Sequence, residues 1–73
     1  MKDFTLRAGE EFIKLGQLLK AVGLVDEGSD AKLVILNGEV SVNGEVCTMR
    51  GKKIHDADTV QFMGEEIHVH KHA

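Results

Sequence analysis

The dipeptide Asn43-Gly44 constrains the fold of this chain more than any other feature of its sequence. It lies between segments in which apolar and polar residues alternate, Val40-Ser41-Val42 before it and Val46 after it. Asn-Gly favours the two-residue turn of a β-hairpin, because both central residues of that turn need a positive φ. We therefore predict an antiparallel strand pair in the middle of the chain.

Three further segments show the alternation of apolar and polar residues that is typical of half-buried strands. They are Phe4-Thr5-Leu6-Arg7, Thr59-Val60-Gln61-Phe62 and Glu66-Ile67-His68-Val69. We expect a turn at Asp56-Ala57-Asp58, and another at Gly64-Glu65 between the last two strands. Together with the hairpin, these segments predict a small, mainly antiparallel sheet of four to five strands.

An amphipathic helix is predicted between the first strand and the hairpin. Its apolar stripe follows the helical period and consists of Phe12, Leu15, Leu18, Leu19 and Val22. Gly23 suits the left-handed conformation that ends a helix. Glu10 and Glu11 are expected in the first turn, where the helix dipole favours acidic side chains. Ile13 lies off the stripe, and the helical period does not explain it.

A second, shorter helix is predicted from Ala31 to Asn37, with Ser29 or Asp30 as its N-cap and Gly38 at its end. Apolar residues cover nearly all of its circumference, so we expect it to be largely buried. Lys32, its only charge, must then reach solvent along its aliphatic stem. The predicted fold class is α+β, with two short N-terminal helices packed on the sheet.

Length and composition limit the class of protein. A chain of 73 residues, 42% of them hydrophobic, has room for one domain, residues 1–73, with a modest core. Cys47 is the only cysteine, which excludes an internal disulfide and a cysteine-rich zinc cluster. No apolar run has the length of a signal peptide or a membrane span. We therefore expect a cytoplasmic monomer that does not bind a membrane.

The net charge of -3 hides an uneven distribution of charge along the chain. Residues 31–55 carry four basic and two acidic side chains, whereas the segments on both sides are acidic. Arg50, Lys52 and Lys53 lie in a predicted loop from Thr48 to Lys53. Such a cluster can bind phosphate groups even when the molecule is acidic overall. On charge alone, the alternative is a solvated loop that only keeps the protein soluble.

The order of these elements resembles the S4 RNA-binding domain, the αL motif named after small-subunit ribosomal protein S4. The resemblance spans roughly residues 12 to 62, and with its flanking strands the whole chain resembles the short stand-alone bacterial YbcJ-like or YaaA-like members. Three positions depart from the family pattern: Gly28 replaces an arginine, Gly16 an aspartate and Ala57 a glycine. The matching segments are Lys14-Leu15-Gly16-Gln17-Leu18-Leu19, Ala31-Lys32-Leu33-Val34-Ile35-Leu36-Asn37-Gly38, Val40-Ser41-Val42-Asn43-Gly44 and Ile54-His55-Asp56-Ala57-Asp58-Thr59-Val60.

The resemblance implies a protein that docks a basic patch on the backbone of structured or double-stranded RNA, with ribosomal RNA as one candidate. Lys20 is a weaker candidate for an RNA contact than Lys14, because it lies about 120° around the predicted helix from that residue. The three phenylalanines fit core positions, so base stacking is not expected to dominate. The alternative is a protein–protein interaction module that retains the fold without RNA binding. The expected RNA-binding residues are Lys14, Lys32, Arg50, Lys52 and Lys53.

The sequence predicts no enzymatic activity, no catalytic residue, no metal site and no cofactor. Cys47 has no evident base beside it, and we expect it to pack as a small hydrophobe. His68, His70 and His72 alternate near the C-terminus, but no cysteine or acid at suitable spacing completes a metal site with them. A frayed C-terminus is the simpler expectation for this segment.

Overall fold

The computed structural model describes residues 2–72, which form two helices and seven strands. The α+β class is confirmed, although two short strands precede the helices, which are therefore not the first elements of the chain. In chain order the elements are β1 (Lys2–Thr5), β2 (Phe12–Lys14), α1 (Leu15–Ala21), α2 (Gly28–Leu36), β3 (Val40–Val42), β4 (Glu45–Val46), β5 (Lys53–His55), β6 (Thr59–Phe62) and β7 (Glu65–His70).

Five of these strands form the main sheet, in the order β1-β7-β6-β3-β4. All neighbours are antiparallel except β1 and β7, the first and last strands of the chain, which are parallel. The predicted small, mainly antiparallel sheet is therefore confirmed. The remaining two strands, β2 and β5, pair with each other in a separate antiparallel sheet.

The core lies between the two helices and the sheet. The apolar stripe of α1 contributes Leu15, Leu18 and Leu19, each completely buried, as the helical spacing predicted. Burying such a side chain stabilises the fold by about 1.5–3 kcal/mol. The other core residues are Leu6, Ala31, Ile35, Val40, Val42, Ile54, Val60, Phe62, Ile67 and Val69.

The predicted start of the first helix is wrong. Phe12, Ile13 and Lys14 form β2, and α1 begins only at Leu15, with no acidic residue in its first turn. The physical reason is the pairing with β5, in which Ile13 lies opposite the buried Ile54. Ile13 fails the helical period because it follows the two-residue period of a strand.

The predicted N-cap and burial of the second helix are also wrong. Helix α2 begins at Gly28, follows Glu27 without a side-chain cap, and includes Ser29 and Asp30 within its first turn. Leu33 and Leu36 are 59% and 57% exposed. Helix α2 therefore packs on α1 and the sheet along one side, and its other side carries uncovered leucines.

Residues with positive φ end both helices and close both hairpins. Asn43 and Gly44 have φ of 52° and 86°, which confirms the predicted two-residue turn. The β6–β7 turn is made by Met63 and Gly64, at 51° and 78°, one residue earlier than predicted. As predicted, left-handed Gly23 and Gly38 end α1 and α2.

The C-terminal segment is an ordered strand through His70, so the expectation of fraying is wrong for that part of it. Strand β7 lies between β1 and β6, and the His70 carbonyl accepts a hydrogen bond of 2.7 Å from the Leu6 amide. The His70 side chain also lies 2.8 Å from an Asp3 oxygen. This hydrogen bond is the main cause of the lowered pKa of Asp3.

A hydrogen-bond network joins the β3–β4 turn to the turn before β6. The Asn43 amide group donates to Asp58 at 3.0 Å, and Asn43 Oδ1 accepts from the Thr59 amide at 2.9 Å. The second oxygen of Asp58 accepts from the His55 amide at 2.7 Å. Ala57 completes this turn with a φ of 72°, a conformation that glycine would adopt without strain.

The substitution Asp58→Asn tests this network. Burial raises the pKa of Asp58, but the hydrogen bonds from His55 and Asn43 outweigh it and hold the pKa below its ordinary value. A lowered carboxyl pKa stabilises the fold at neutral pH, and this stabilisation is lost as the pH falls from about 4 through the folded-state pKa. We expect Asp58→Asn to lower the free energy of unfolding by about 1.5 kcal/mol at neutral pH.

Denaturant unfolding at about pH 7 and about pH 2.5 measures this effect. The difference between the wild type and Asp58→Asn should shrink at the lower pH, because the wild-type carboxylate becomes protonated there. Asp26→Asn, at an exposed aspartate with no hydrogen bond in the described part of the chain, is the control and should change little. A deficit of equal size at both pH values would contradict the assigned role of the carboxylate.

Candidate functional site

Three cationic side chains line one shallow depression on the surface, which we call the basic depression. Lys14 is the last residue of β2, Lys20 lies in the last turn of α1, and Arg50 lies in the loop before β5. All three side chains are exposed. The full lining consists of Lys14, Gly16, Gln17, Lys20, Arg50 and Gly51.

The backbone of residues 50–52 is attached directly to the start of α1. The Leu15 amide donates to the Lys52 carbonyl at 2.9 Å, and the Gly16 amide donates to the Arg50 carbonyl at 3.2 Å. The first amides of a helix have no partner within the helix, and these carbonyls supply one. The basic segment is therefore held at a fixed position beside α1.

The β2–β5 pairing brings a fourth cation, Lys53, next to Lys14. Lys14 lies directly opposite Lys53, while Phe12 lies opposite His55 on the same face. The Lys53 ammonium lies 5.0 Å from the centre of the Phe12 ring, which is within the range of a cation–π interaction. Like charges directly opposite each other destabilise a strand pair. A bound anion would relieve the repulsion between Lys14 and Lys53, so this pairing favours the binding of a negatively charged ligand.

Gly16 makes room for Arg50. A Cβ atom at position 16 would lie 2.8 Å from Cγ and 3.5 Å from Cδ of Arg50, too close for an unchanged side chain. The absence of a side chain thus lets the Arg50 stem lie directly against α1. Gly16 is one of the positions at which this sequence departs from the family pattern.

Two of the five predicted RNA-binding residues line the basic depression, and the other three lie outside its lining. Lys14 and Arg50 line the basic depression, Lys53 lies opposite Lys14, and Lys52 lines a neighbouring depression beside Asn43 and Glu45. All three residues of the Arg50–Lys53 cluster lie near α1, although Lys53 belongs to β5 and not to a loop.

The positions of Lys32 and Lys20 differ from the sequence prediction. Lys32 is exposed on α2 and does not line the basic depression, whereas Lys20 does. The angular argument against Lys20 assumed that Lys14 is helical, but Lys14 is extended, with a φ of -71° and a ψ of 144°. No local signal in the sequence places Lys20 beside Lys14, because the extended conformation of Lys14 belongs to a strand that pairs with the distant β5.

The cations near α1 form no ion pair with a carboxylate in the described residues, although Lys52 has a weaker, longer-range attraction to the Asp58 carboxylate. Within residues 2–72, none of the lysines and arginines forms an ion pair with a carboxylate; the basic partners in the ion pairs are histidines. The charges of Lys14, Lys20, Arg50, Lys52 and Lys53 are therefore available to an external anion, although the net charge of the chain is -3.

Cys47, the only cysteine of the chain, does not line the basic depression. Cys47 is half-buried against the core, with its sulfur 3.7 Å from the Met49 carbonyl oxygen. Across residues 2–72, no three His, Cys, Asp or Glu side chains are grouped so that they could hold a metal ion. Neither helix in this part of the chain is long and apolar enough to cross a membrane.

Comparison with known proteins decides the family. The family model of the S4 domain matches residues 4–70. The chain belongs to the S4 domain family. This S4 domain is 39% identical over 57 residues to YbcJ from Escherichia coli (strain K12), an alignment that covers 78% of this chain and 81% of YbcJ. It is also 39% identical over 54 residues to the probable ribosome maturation protein RlbA of Bacillus subtilis (strain 168), covering 74% of this chain and 76% of RlbA.

Solved structures show the same fold. The solution structure of E. coli YbcJ, which contains an αL motif involved in RNA binding, matches this S4 domain with a TM-score of 0.71 and 36% identity. The match covers 96% of this chain and 87% of YbcJ. The 30S ribosomal protein S4e of Thermoplasma acidophilum matches with a TM-score of 0.65 and 21% identity over 78% of this chain and 30% of S4e, which shows a shared fold.

The substitution Gly16→Ala is expected to displace the Arg50 side chain without unfolding α1. Gly16 lies in the first turn of α1, where alanine normally stabilises a helix relative to glycine by up to about 1 kcal/mol, and we expect this gain to be absent because Arg50 must move. NMR should show contacts between the α protons of Gly16 and the Arg50 side chain in the wild type, and their loss in the variant.

Gly51→Ala is the matched control, because a Cβ atom there has no neighbour within 4 Å. This variant should keep the contacts between Gly16 and Arg50. If Gly16→Ala kept an undisplaced Arg50 and gained the full helix stabilisation, the close packing of these two residues would be refuted.

Proposed function

We propose that this S4 domain, residues 1–73, binds structured RNA by docking its basic side on the phosphate backbone. The observation that carries the proposal is the convergence of Lys14, Lys20 and Arg50 on one depression, free of acidic partners. Lys52 and Lys53 extend this surface, and Lys32 on α2 is proposed as a peripheral contact. We call Lys14, Lys20, Arg50, Lys52 and Lys53 the basic surface.

Binding at such a surface is driven mainly by the release of counterions condensed on the RNA. Arg50 can donate two parallel hydrogen bonds to one phosphate group, whereas each lysine acts as a point charge. The fixed position of residues 50–52 beside α1 lowers the entropy that is lost when these groups bind. No step requires a cofactor, and the proposed role is binding without catalysis.

The preferred RNA is folded or double-stranded. Proteins that bind single strands usually stack bases on exposed aromatic rings. In this chain Phe62 is buried, Phe4 and Phe12 are half-buried, and Phe12 lies beneath the Lys53 ammonium. Recognition through the shape and backbone of the RNA therefore fits these residues better than base stacking.

The relatives support RNA binding and indicate which class of RNA is bound. YbcJ contains an αL motif involved in RNA binding, and the name of RlbA connects that relative with ribosome maturation. We therefore propose ribosomal RNA, or a precursor of it, as the RNA class. The proposed working form is a cytoplasmic monomer, since one copy of the chain carries the whole basic surface.

The charge-reversed variant Lys14→Glu/Arg50→Glu tests the surface. With a ribosomal RNA hairpin as the probe, we expect at least about 100-fold weaker binding, about 2.7 kcal/mol, because two attractions become repulsions. The control Arg7→Glu/Lys71→Glu has the same change in net charge at exposed positions outside the basic surface, and should bind within about threefold of the wild type.

Circular dichroism of both variants should show an intact fold. Equal losses in the two variants would mean that only net charge matters, and wild-type affinity of Lys14→Glu/Arg50→Glu would refute the proposed surface. In that case a protein–protein interaction module that retains the fold without RNA binding becomes the better interpretation.

Salt dependence gives a second test of the mechanism. If three to five phosphates are neutralised, the logarithm of the association constant should fall with the logarithm of salt concentration at a slope of about -2 to -4. Removing Lys53 with Lys53→Gln should make the slope less steep by about 1. A complex that is insensitive to salt would exclude electrostatic docking on the backbone.

A further inference from the structure

We propose that a second surface, formed by α2 and the β6–β7 turn, binds a basic amphipathic helix of a partner protein. This surface shares no lining residue with the basic depression, so the proposal does not depend on RNA binding. We call it the α2 groove. Its lining consists of Leu24, Val25, Asp26, Asp30, Leu33, Val34, Phe62 and Met63.

Large apolar side chains are exposed in and beside this groove. Met63 is 80% exposed and Leu33 is 59% exposed, and they lie in the same depression although 30 positions separate them in sequence. Leu36, on the same helix, is 57% exposed. Contiguous apolar surface on a small protein is a common mark of a binding site.

The conformation of Met63 adds to this argument. Its φ of 51° lies in the left-handed region, where asparagine or glycine is favoured and a long side chain is uncommon. Met63 therefore costs conformational energy at a position where its side chain projects into solvent. Burial of this side chain by a partner protein would explain why a methionine occupies this position. Methionine also adapts its shape to different apolar surfaces.

The charges around the groove select a cationic partner. Asp26 and Asp30 line it, and within the described chain neither forms an ion pair. A second depression shares Phe62 and Met63 with the groove, and Glu39 lies in its lining. No lysine or arginine lines either depression. The combined surface is therefore apolar at its centre and negative at its rim.

This combination fits a protein segment better than a nucleic acid or a lipid surface. Phosphate groups of RNA and anionic lipid headgroups would be repelled by the carboxylates. An amphipathic helix places apolar anchors at positions i, i+3, i+4 and i+7, and lysine or arginine on its flanks can face the acidic rim. The linings of the two depressions thus offer opposite binding chemistries on one small domain.

The test uses the full chain and two synthetic peptides of about 18 residues. One is an amphipathic helix of leucine and lysine, and the other has glutamate in place of lysine. In NMR titrations, the lysine peptide should shift the amides of residues 24–36 and 62–64, while the glutamate peptide should shift none of them. Shifts by the lysine peptide that are confined to other residues, or equal shifts of residues 24–36 and 62–64 by both peptides, would overturn the proposal.

Two substitutions of exposed methionines, one in the groove and one outside it, test whether the groove is the binding site. Met63→Asn suits the left-handed turn and should keep the fold, but should weaken binding of the lysine peptide at least tenfold. Met49→Asn removes another exposed methionine, 65% accessible and outside the groove, and should not change binding. Unchanged peptide binding by Met63→Asn would refute the groove as the site.

Two further measurements separate this proposal from the alternatives. Met63→Asn should bind the ribosomal RNA hairpin as the wild type does, so that loss of the peptide with retention of RNA identifies two independent sites. Sedimentation at high protein concentration should show a monomer. Self-association abolished by Met63→Asn would assign the groove to a second copy of the chain and overturn the assignment to a cationic partner.

Discussion

Strands β2 and β5 pair through only three residues each, and the position of the basic surface depends on this pairing. It connects the start of α1 with a segment about forty positions later, and it continues as hydrogen bonds from the Leu15 and Gly16 amides to the carbonyls of Lys52 and Arg50. These contacts are the ones that hold residues 50–53 beside α1. Through this pairing, two chain segments that both carry cations form one surface beside a helix.

The same architecture separates charges that the overall composition averages out. The cations of the basic surface lie along α1 and at β5, while the depressions beside α2 and the β6–β7 turn are lined by carboxylates and apolar groups and by no lysine or arginine. Attraction of phosphate depends on the local field more than on net charge, because salt screens charges beyond about 10 Å. An acidic chain can therefore act as an RNA-binding domain, and its acidic side remains available for a different ligand.

Local sequence signals predicted the parts of this fold that depend on neighbouring residues. The Asn43-Gly44 turn and the leucine stripe of α1 arise from local backbone preference and helical period. The sequence could not reveal strand β2, because a three-residue strand is defined by its distant partner. For the same reason the sequence does not place Lys20 beside Lys14 in one depression. The exposure of Leu33 was missed because periodicity identifies apolar residues but does not determine which of them the rest of the chain covers.

The central claim is that RNA contacts the surface held together by the β2–β5 pairing. The most direct measurement is a titration of isotope-labelled protein with a ribosomal RNA hairpin, followed by NMR at low and high salt. The account predicts that the perturbed amides cluster at residues 14–20 and 50–53, and that high salt reverses the perturbation. Perturbations confined to α2 and the β6–β7 turn, or none at low salt, would contradict it.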